Sequence, residues 1–194
     1  MKNNTYNIYL FKALEAYPYE LAKAVEALNY VLSYEPNNLK ALCLMAKVQS
    51  EKLGDYEAAK TYYENALAIN IENPDIYPDY IRLLVNNHDS EEAQKLIDFA
   101  ITVKGVDKAG IKLTQGYLYE SLGEFENAKE ALQEAKMFAL NNDFTYYVDE
   151  EIKRVDEKRK IQNKKNRAQE TVVKNEVEKK ANNSWFQNRL NNLL

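Results

Sequence analysis

Cysteine and histidine each occur only once in these 194 residues, as Cys43 and His88. A single cysteine excludes an internal disulfide and fits a reducing compartment. A Ser-His-Asp or Cys-His catalytic arrangement would have to use His88, and nothing in the sequence brings Cys43 near it. Zinc sites built from histidine and cysteine need more of both residues. We therefore expect neither a metal site nor a catalytic histidine.

Phosphate-binding loops are missing as well, since neither GxGxxG nor GxxxxGK[ST] occurs. The five glycines and four prolines are few for an all-β protein with many tight turns. No apolar run approaches the roughly 18 residues that cross a bilayer, and the N-terminal residues lack the apolar core of a signal peptide. These absences predict a non-catalytic cytoplasmic protein that needs no cofactor.

Charge is unevenly distributed along the chain. Residues 1–142 carry 14 basic and 21 acidic side chains, whereas residues 143–194 carry 12 basic and 9 acidic ones. The acidic part argues against nucleic acid as its main ligand. The basic stretch 158–180 would allow weak RNA contact, which should fade steeply with salt.

A repeat of about 35 residues organises the acidic part. Four alanines mark it, with separations of 35, 34 and 35 residues: Ala24, Ala59, Ala93 and Ala128. Four residues after each alanine stands a large apolar or aromatic residue: Leu28, Tyr63, Ile97 and Leu132. With a further small or apolar residue three positions on, this spacing defines one face of a helix. A second helical stretch precedes each segment, and Gly54, His88 and Gly123 mark turns between the two helices.

This pattern resembles the tetratricopeptide repeat, a helical hairpin with small residues where its helices cross. The segments 54–67 and 122–135 match it most closely, and the resemblance covers roughly residues 5–140. It implies an all-α solenoid of about four helical hairpins over residues 5–142, followed by a capping helix. Such arrays are typically protein-interaction modules, so the expected function is that of an adaptor or scaffold.

Four positions depart from the family pattern. Lys12 stands where a small residue is usual, which leaves the packing of the first helix open. The second unit has one extra residue between Ala46 and Gly54. His88 replaces a turn glycine, and Pro78 should kink or delay the first helix of the third unit because proline lacks an amide hydrogen.

The resemblance also implies a partner-binding groove lined by the first helix of each unit. Carrying the family's groove positions over to this sequence selects seven candidates: Tyr6, Tyr9, Lys40, Lys47, Asp79, Arg82 and Tyr117. Some family members grip a partner's C-terminal carboxylate with lysine and asparagine at such positions. Asp75 and Asp79 stand here where positive charge would be needed, so we expect a different protein or peptide segment of mixed polar and apolar character.

The C-terminal part divides into three predicted segments. Residues 143–161 should form the capping helix, with Asp143 as its N-cap. Residues 162–181 read as a charged helical extension or linker. Residues 182–194 read as a short amphipathic helix that begins with a capping box of Ser184 and Gln187. Its candidate docking residues are Trp185, Phe186, Leu190 and Leu193.

Four roles remain open for this last segment. It could fold back onto the array, dock on a partner protein, contact a membrane surface with help from the basic stretch, or have no defined role. We expect the chain to be a monomer or a weak homo-oligomer. A self-assembling scaffold, with the segment in a neighbour's groove, is one form of the second role.

Overall fold

The computed structural model describes the backbone of residues 4–191 and the side chains of residues 8–167 and 169. This range contains nine α-helices, one π-helical turn (Gln49–Leu53) and no strand. The α-helices are α1 (Asn4–Ala16), α2 (Leu21–Tyr34), α3 (Leu39–Val48), α4 (Tyr56–Ile69), α5 (Tyr77–Asn86), α6 (Ser90–Ala100), α7 (Lys108–Ser121), α8 (Phe125–Met137) and α9 (Asn142–Asn191).

Consecutive helices pair into four hairpins, which we number as units one to four. Helix α1 packs on α2, α3 on α4, α5 on α6 and α7 on α8, and α9 packs on α8 at the end of the array. Each hairpin also contacts the next one, through α2 with α3, α4 with α5 and α6 with α7. The predicted all-α solenoid of four hairpins with a C-terminal capping helix is confirmed.

Small residues allow the helices to approach closely. The four repeat alanines are completely buried, as the sequence pattern predicted. In unit four, Gly116 lies so close to α8 that a Cβ atom there would stand 2.8 Å from Cγ of Leu132. Three buried clusters follow the stacking: one joins units one and two, one joins units two and three to α7, and one joins unit four to α9. The core therefore extends by contacts between neighbouring units.

The turns between paired helices confirm the role predicted for His88. Its backbone φ is 65°, close to the 68° of Gly54 and the 76° of Gly123, so all three residues adopt the left-handed conformation. Histidine is one of the few non-glycine residues that enter this region. The residue after Gly54 caps the next helix: the Asp55 side chain accepts a hydrogen bond from the Ala58 amide at 3.0 Å at the start of α4.

The π-helical turn explains the extra residue of unit two. It follows α3 directly and ends at Gly54, which forms the turn into α4. A π-helical turn accommodates one extra residue in a helix by wider, i→i+5 hydrogen-bonded loops. Both α3 and the turn therefore keep the positions that the repeat requires. Pro78 is accommodated differently: α5 begins at Tyr77, so the proline lies in the first turn and delays the helix without kinking it.

Unit one uses a different face of its first helix from the one that the repeat pattern suggested. Lys12 is exposed, with Nζ 4.8 Å from the ring centroid of Tyr9. Ala13 is fully buried and supplies the small residue at this interface. The open question about Lys12 is thus resolved by a shift of one position along α1.

Helix α9 differs from its predicted boundaries. It runs without interruption over 50 residues, with no end at residue 161 and no new start at Ser184. Its beginning also differs, because the Asn141 side chain, and not Asp143, accepts a hydrogen bond from the Phe144 amide at 2.8 Å. No glycine or proline occurs after Gly123, so nothing in the local sequence stops the helix. The capping box therefore lies inside a helix and starts none.

Only the first part of α9 packs on the array. Val148 and Val155 are fully buried against unit four. Lys129 and Asp156 form an ion pair at 2.9 Å across the same interface, and Lys136 and Asp149 form another at 2.7 Å. From residue 160 onward, every side chain that the structure describes is exposed. No helix within residues 4–191 is both long enough and apolar enough to span a bilayer.

Candidate partner-binding groove

The first helices of the units share one face that is turned away from their second helices. Side chains on this face connect one unit to the next, and we call it the groove. Lys47 on α3 reaches Asp79 on α5, with Nζ 3.2 Å from Oδ2. Glu51 in the π-helical turn reaches Arg82 on α5, with Oε1 3.4 Å from Nη2. The repeat architecture places these residues, because each lies on the first helix of its unit.

Five side chains form a charge network across units one to three: Tyr17, Lys47, Glu51, Asp79 and Arg82. The Tyr17 hydroxyl donates a hydrogen bond to Glu51, and this links α1 to the π-helical turn. Arg82 also donates to Asp79 on its own helix at 2.5 Å. The two carboxylates and two cations balance each other. A ligand would therefore meet a groove floor that is polar and patterned but without net charge.

The network is open to exchange with a ligand. The side chain of Arg82 is 50% exposed, and both carboxylates are reachable from solvent. Ion pairs with such exposure contribute only about 0–1 kcal/mol each, so a partner's charges can replace them at little cost. Charges of this kind select a partner and its orientation more than they add affinity.

Two groove side chains have raised pKa values. Burial raises the pKa of Tyr17 to about 12, and its hydrogen bond to Glu51 adds to this effect. Burial also raises the pKa of the Cys43 thiol to about 11, with further contributions from the negative charges of Asp79 and Asp75. Both groups are therefore neutral near pH 7. Tyr17 serves as a hydrogen-bond donor there, and Cys43 is a small half-buried side chain with a neutral thiol.

A cavity of about 290 Å³ opens between the π-helical turn and α5. Its wall contains three members of the charge network together with amide and hydroxyl groups: Ser50, Glu51, Asp79, Arg82, Asn86 and Asn87. The buried Tyr63 closes its inner end and stacks on Tyr80, with ring centroids 5.1 Å apart. The cavity is large enough for one polar side chain of a bound segment.

Helix α1 of unit one has an exposed apolar surface. Ile8, Phe11 and Leu14 are 53%, 60% and 52% exposed and follow one another at three-residue spacing along α1. They lie outside the part of α1 that contains the buried Ala13 and Ala16, and we call them the apolar strip. Exposed apolar side chains grouped in this way, beside polar neighbours, are typical of interaction surfaces.

The structure brings together three of the seven groove candidates. Lys47, Asp79 and Arg82 belong to the charge network. Lys40 is exposed on α3 near the connection from α2. Tyr6 lies in α1, but its side chain is outside the described part of the chain. The two remaining candidates, Tyr9 and Tyr117, pack against other helices.

Tyr9 lies between the two helices of unit one. Its ring centroid is 3.8 Å from that of Tyr30 on α2. Tyr117 lies beneath α9, with its hydroxyl oxygen 2.6 Å from that of Tyr147. Burial and this hydrogen bond raise the pKa of Tyr117. Helix α9 therefore covers the unit-four end of the face on which Tyr117 was expected. The tail candidates Trp185, Phe186 and Leu190 lie in α9 without described side chains, and Leu193 is outside the described residues.

Sequence reasoning did not select Glu51 or the apolar strip. The π-helical turn, which accommodates the extra residue, places Glu51 between Tyr17 and Arg82. The extra residue in unit two was the signal for this placement. The three-residue spacing of Ile8, Phe11 and Leu14 is also visible in the sequence, but α1 carries apolar residues on all sides.

Metal binding finds no support in the described side chains. Among them, no three histidine, cysteine, aspartate or glutamate residues are grouped as ligands of an ion would be. Glu51 and Asp79 are instead paired with Arg82 and Lys47. What the arrangement offers chemically is hydrogen bonding, charge pairing and apolar contact.

Comparison with protein families identifies the repeat. Models of the tetratricopeptide repeat match residues 51–98 and 109–142. The chain contains tetratricopeptide repeats. The two matches cover most of units two to four, and unit one completes the same architecture in the structure. Tetratricopeptide repeats are in general non-catalytic scaffolds for protein interaction.

Solved structures share this tetratricopeptide fold. The chain is similar to pilF of Pseudomonas aeruginosa, with a TM-score of 0.64, 19% identity, and coverage of 75% of this chain and 69% of that one. A similar match is PilW, described as a type IV pilus biogenesis factor, with a TM-score of 0.63, 19% identity and coverages of 80% and 79%. MamA of Desulfovibrio magneticus RS-1 gives a TM-score of 0.59, 17% identity and coverages of 81% and 96%. Among curated proteins no sequence matches significantly.

Proposed function

We propose that this chain is a non-catalytic adaptor or scaffold of the cytoplasm that binds a segment of a partner protein in its groove. The observation that carries the proposal is the exposed apolar strip on α1. The charge network begins at Tyr17, directly after the same helix. Exposing Ile8, Phe11 and Leu14 to water does not stabilise the folded chain, because each side chain would have a lower free energy in an apolar contact. A bound segment would supply that contact.

The apolar strip and the groove suggest what kind of segment fits. The apolar strip would hold the aliphatic or aromatic anchors, which supply most of the affinity at protein interfaces. The charge network and the polar cavity would set orientation by exchanging ion pairs with the segment. An amphipathic segment with apolar residues on one face and both signs of charge nearby meets these requirements.

A peptide library displayed against the full chain tests the proposal. Peptides that are enriched would be titrated against the wild-type chain and against Phe11→Asp and Arg82→Ala. We expect Phe11→Asp to weaken binding by about tenfold or more, since it removes a central apolar anchor. Arg82→Ala should change affinity less and change which peptides are preferred.

Leu140→Asp is the matched control. Leu140 is 99% exposed and lies between α8 and α9, away from the groove. This variant should bind selected peptides as the wild-type chain does. The proposal fails if no peptide is enriched, or if the enriched peptides bind Phe11→Asp as tightly as they bind the wild-type chain.

A second candidate function uses the C-terminal part as a contact for membrane surfaces. The uninterrupted helix α9 carries nine basic and three acidic residues over 158–180, ahead of Trp185 and Phe186. A basic helix followed by apolar residues can attach to anionic lipid. Co-sedimentation with anionic vesicles should then occur, and Trp185→Ala and Leu190→Ala should abolish it. Equal sedimentation of these variants would exclude the C-terminal segment as the attachment point.

A further inference from the structure

We propose that the apolar strip of one chain binds the C-terminal segment, residues 182–194, of a second copy of the same chain. This inference rests on the proposed function and names the partner of the apolar strip. Three independent features support it: the dimensions of the two apolar surfaces, the net charges of the segment and the array, and the course of α9.

The two apolar surfaces have similar lengths. Ile8, Phe11 and Leu14 extend over six residues of α1, or about 9 Å along the helix axis. Phe186, Leu190 and Leu193 extend over seven residues, or about 10.5 Å on a helix. Their i, i+4, i+7 spacing is that of one helix face. Two helices can bury such faces against each other over their whole length.

The segment and the array carry opposite net charges. Residues 179–194 contain Lys179, Lys180 and Arg189 and no acidic residue. On α1 itself, the exposed Glu15 and the exposed Lys12 both lie near the apolar strip, so the charge there is balanced. The part of the chain up to residue 142 has seven more acidic than basic residues. A segment with only basic charges is therefore attracted to the acidic array of another molecule.

The course of α9 directs the segment to a second copy. Helix α9 packs on unit four, at the opposite end of the array from α1. After Arg159 its described side chains are exposed, and the helix continues to Asn191. That continuation carries Trp185 about 39 Å beyond Arg159 at 1.5 Å per residue. The strip of the same chain lies at the other end of the array, and α9 has no glycine or proline at which the helix could bend back toward it.

The resulting contact joins two different surfaces of the same chain. Such a head-to-tail interface leaves one free strip and one free segment at each step, so it produces open chains of increasing length. The average mass in solution should therefore rise continuously with concentration and should not stop at a dimer.

Complementation between two variants of the full chain is the decisive experiment. Phe11→Asp removes the strip and keeps the segment, whereas Leu190→Asp keeps the strip and removes the segment. Sedimentation velocity should show the wild-type chain associating with rising concentration and each variant alone as a monomer. An equimolar mixture of the two should form a dimer that grows no further, because only one intact strip meets one intact segment. Each substitution should raise the dissociation constant by about tenfold or more.

Leu140→Asp serves as the control and should associate as the wild-type chain does. Leu14→Asp repeats the strip test at a second exposed position, and far-ultraviolet circular dichroism verifies that each variant is folded. The inference is overturned if the wild-type chain stays monomeric, if both variants associate like the wild type, or if the mixture forms no dimer. A monomeric chain that still binds library peptides through Phe11 would overturn this inference alone and leave the proposed function standing. Vesicle binding by a monomeric wild-type chain would favour the membrane role of the segment.

Discussion

Gly54, His88 and Gly123 adopt one backbone conformation, although only two of them are glycines. Each terminates the first helix of a unit and allows the chain to turn into the second helix. The left-handed conformation costs a residue with a Cβ atom about 1–2 kcal/mol, and glycine avoids most of that cost. Unit three therefore contains a strained turn that its neighbours do not have.

Replacing His88 by glycine should stabilise the chain. We expect the free energy of unfolding to rise by about 0.5–1 kcal/mol, because the strain is relieved while glycine adds entropy to the unfolded chain. Urea unfolding followed by circular dichroism measures the change. His88→Ala is the control: it removes the side chain but keeps a Cβ atom, so it should give no such gain. If alanine stabilised as much as glycine, the imidazole and not the backbone would be the source of strain.

At the scale of single elements, the π-helical turn allows α3 and Gly54 both to occupy the positions that the repeat requires. A regular α-helix with the same number of residues could not place both correctly. Helix α3 must present its buried face to α4, and Gly54 must stand where the turn begins. One extra residue would rotate one of these by 100° in a regular helix. The π-helical turn absorbs that residue and brings Glu51 to the groove.

Deleting Ser50 should accordingly be tolerated. The π-helical turn would become α-helical, and both α3 and Gly54 would keep their positions. We expect the free energy of unfolding to change by less than about 1 kcal/mol. Deleting Thr61, an exposed residue of α4, is the matched control. It should cost more than about 3 kcal/mol, because it rotates one half of the helix against the other and removes Tyr63 or Ala59 from the core. Comparable losses for the two deletions would contradict this account of the turn.

Glu120 on α7 stabilises the packing of α9 by ion pairs with two of its side chains. Arg154 Nη2 lies 2.7 Å from Glu120 Oε2, and Lys158 Nζ lies 2.6 Å from Oε1. Burial alone would raise the pKa of this carboxyl group, but hydrogen bonds from Arg154 and Lys158 outweigh that effect and lower it. The ionised form of Glu120 is therefore more favourable in the folded chain than in the unfolded chain.

Glu120→Gln should destabilise the chain by about 1 kcal/mol near pH 7, as expected for charge-assisted hydrogen bonds at a partly exposed site. Because the pKa is lowered on folding, this contribution is fully present above the ordinary value of 4.5. It is lost as the pH falls through the lowered value. Unfolding curves of wild type and variant from pH 3 to 7 should therefore converge at the acidic end. A difference that grows on acidification would mean that the pKa is raised in the folded chain.

At the scale of the whole molecule, each unit is stabilised by its contacts with neighbouring units, and α9 provides these contacts for unit four at the C-terminal end of the array. Val155→Asp should therefore loosen α9 and accelerate amide hydrogen exchange in α8 by at least about tenfold, with little change in α1 and α2. Mass spectrometry of the exchanging chain resolves these regions. Ile161→Asp, at an exposed position on the same helix, should leave the pattern unchanged. Faster exchange throughout the array would indicate that the units unfold together.

Much of the architecture was predictable because it depends on local pattern. The buried alanines, the hairpin turns and the left-handed His88 all follow from residues close in sequence. The exposed face of unit one was not predictable in this way. Helix α1 has apolar residues on every side, so only its contacts with α2 decide that Ala13 is buried and Phe11 is exposed. The length of α9 also escaped prediction, because a charged stretch without glycine or proline is compatible with helix and with disorder alike.

The uninterrupted course of α9 also determines how the chain can use its own C-terminus. A flexible tether would hold the segment near its own array at millimolar effective concentration, and the chain would close on itself. A rigid helix lowers that effective concentration almost to zero for any site that it cannot reach. If the segment binds the strip of another molecule, as we propose, binding depends on the concentration of other molecules, and the length of α9 would set the spacing from one array to the next.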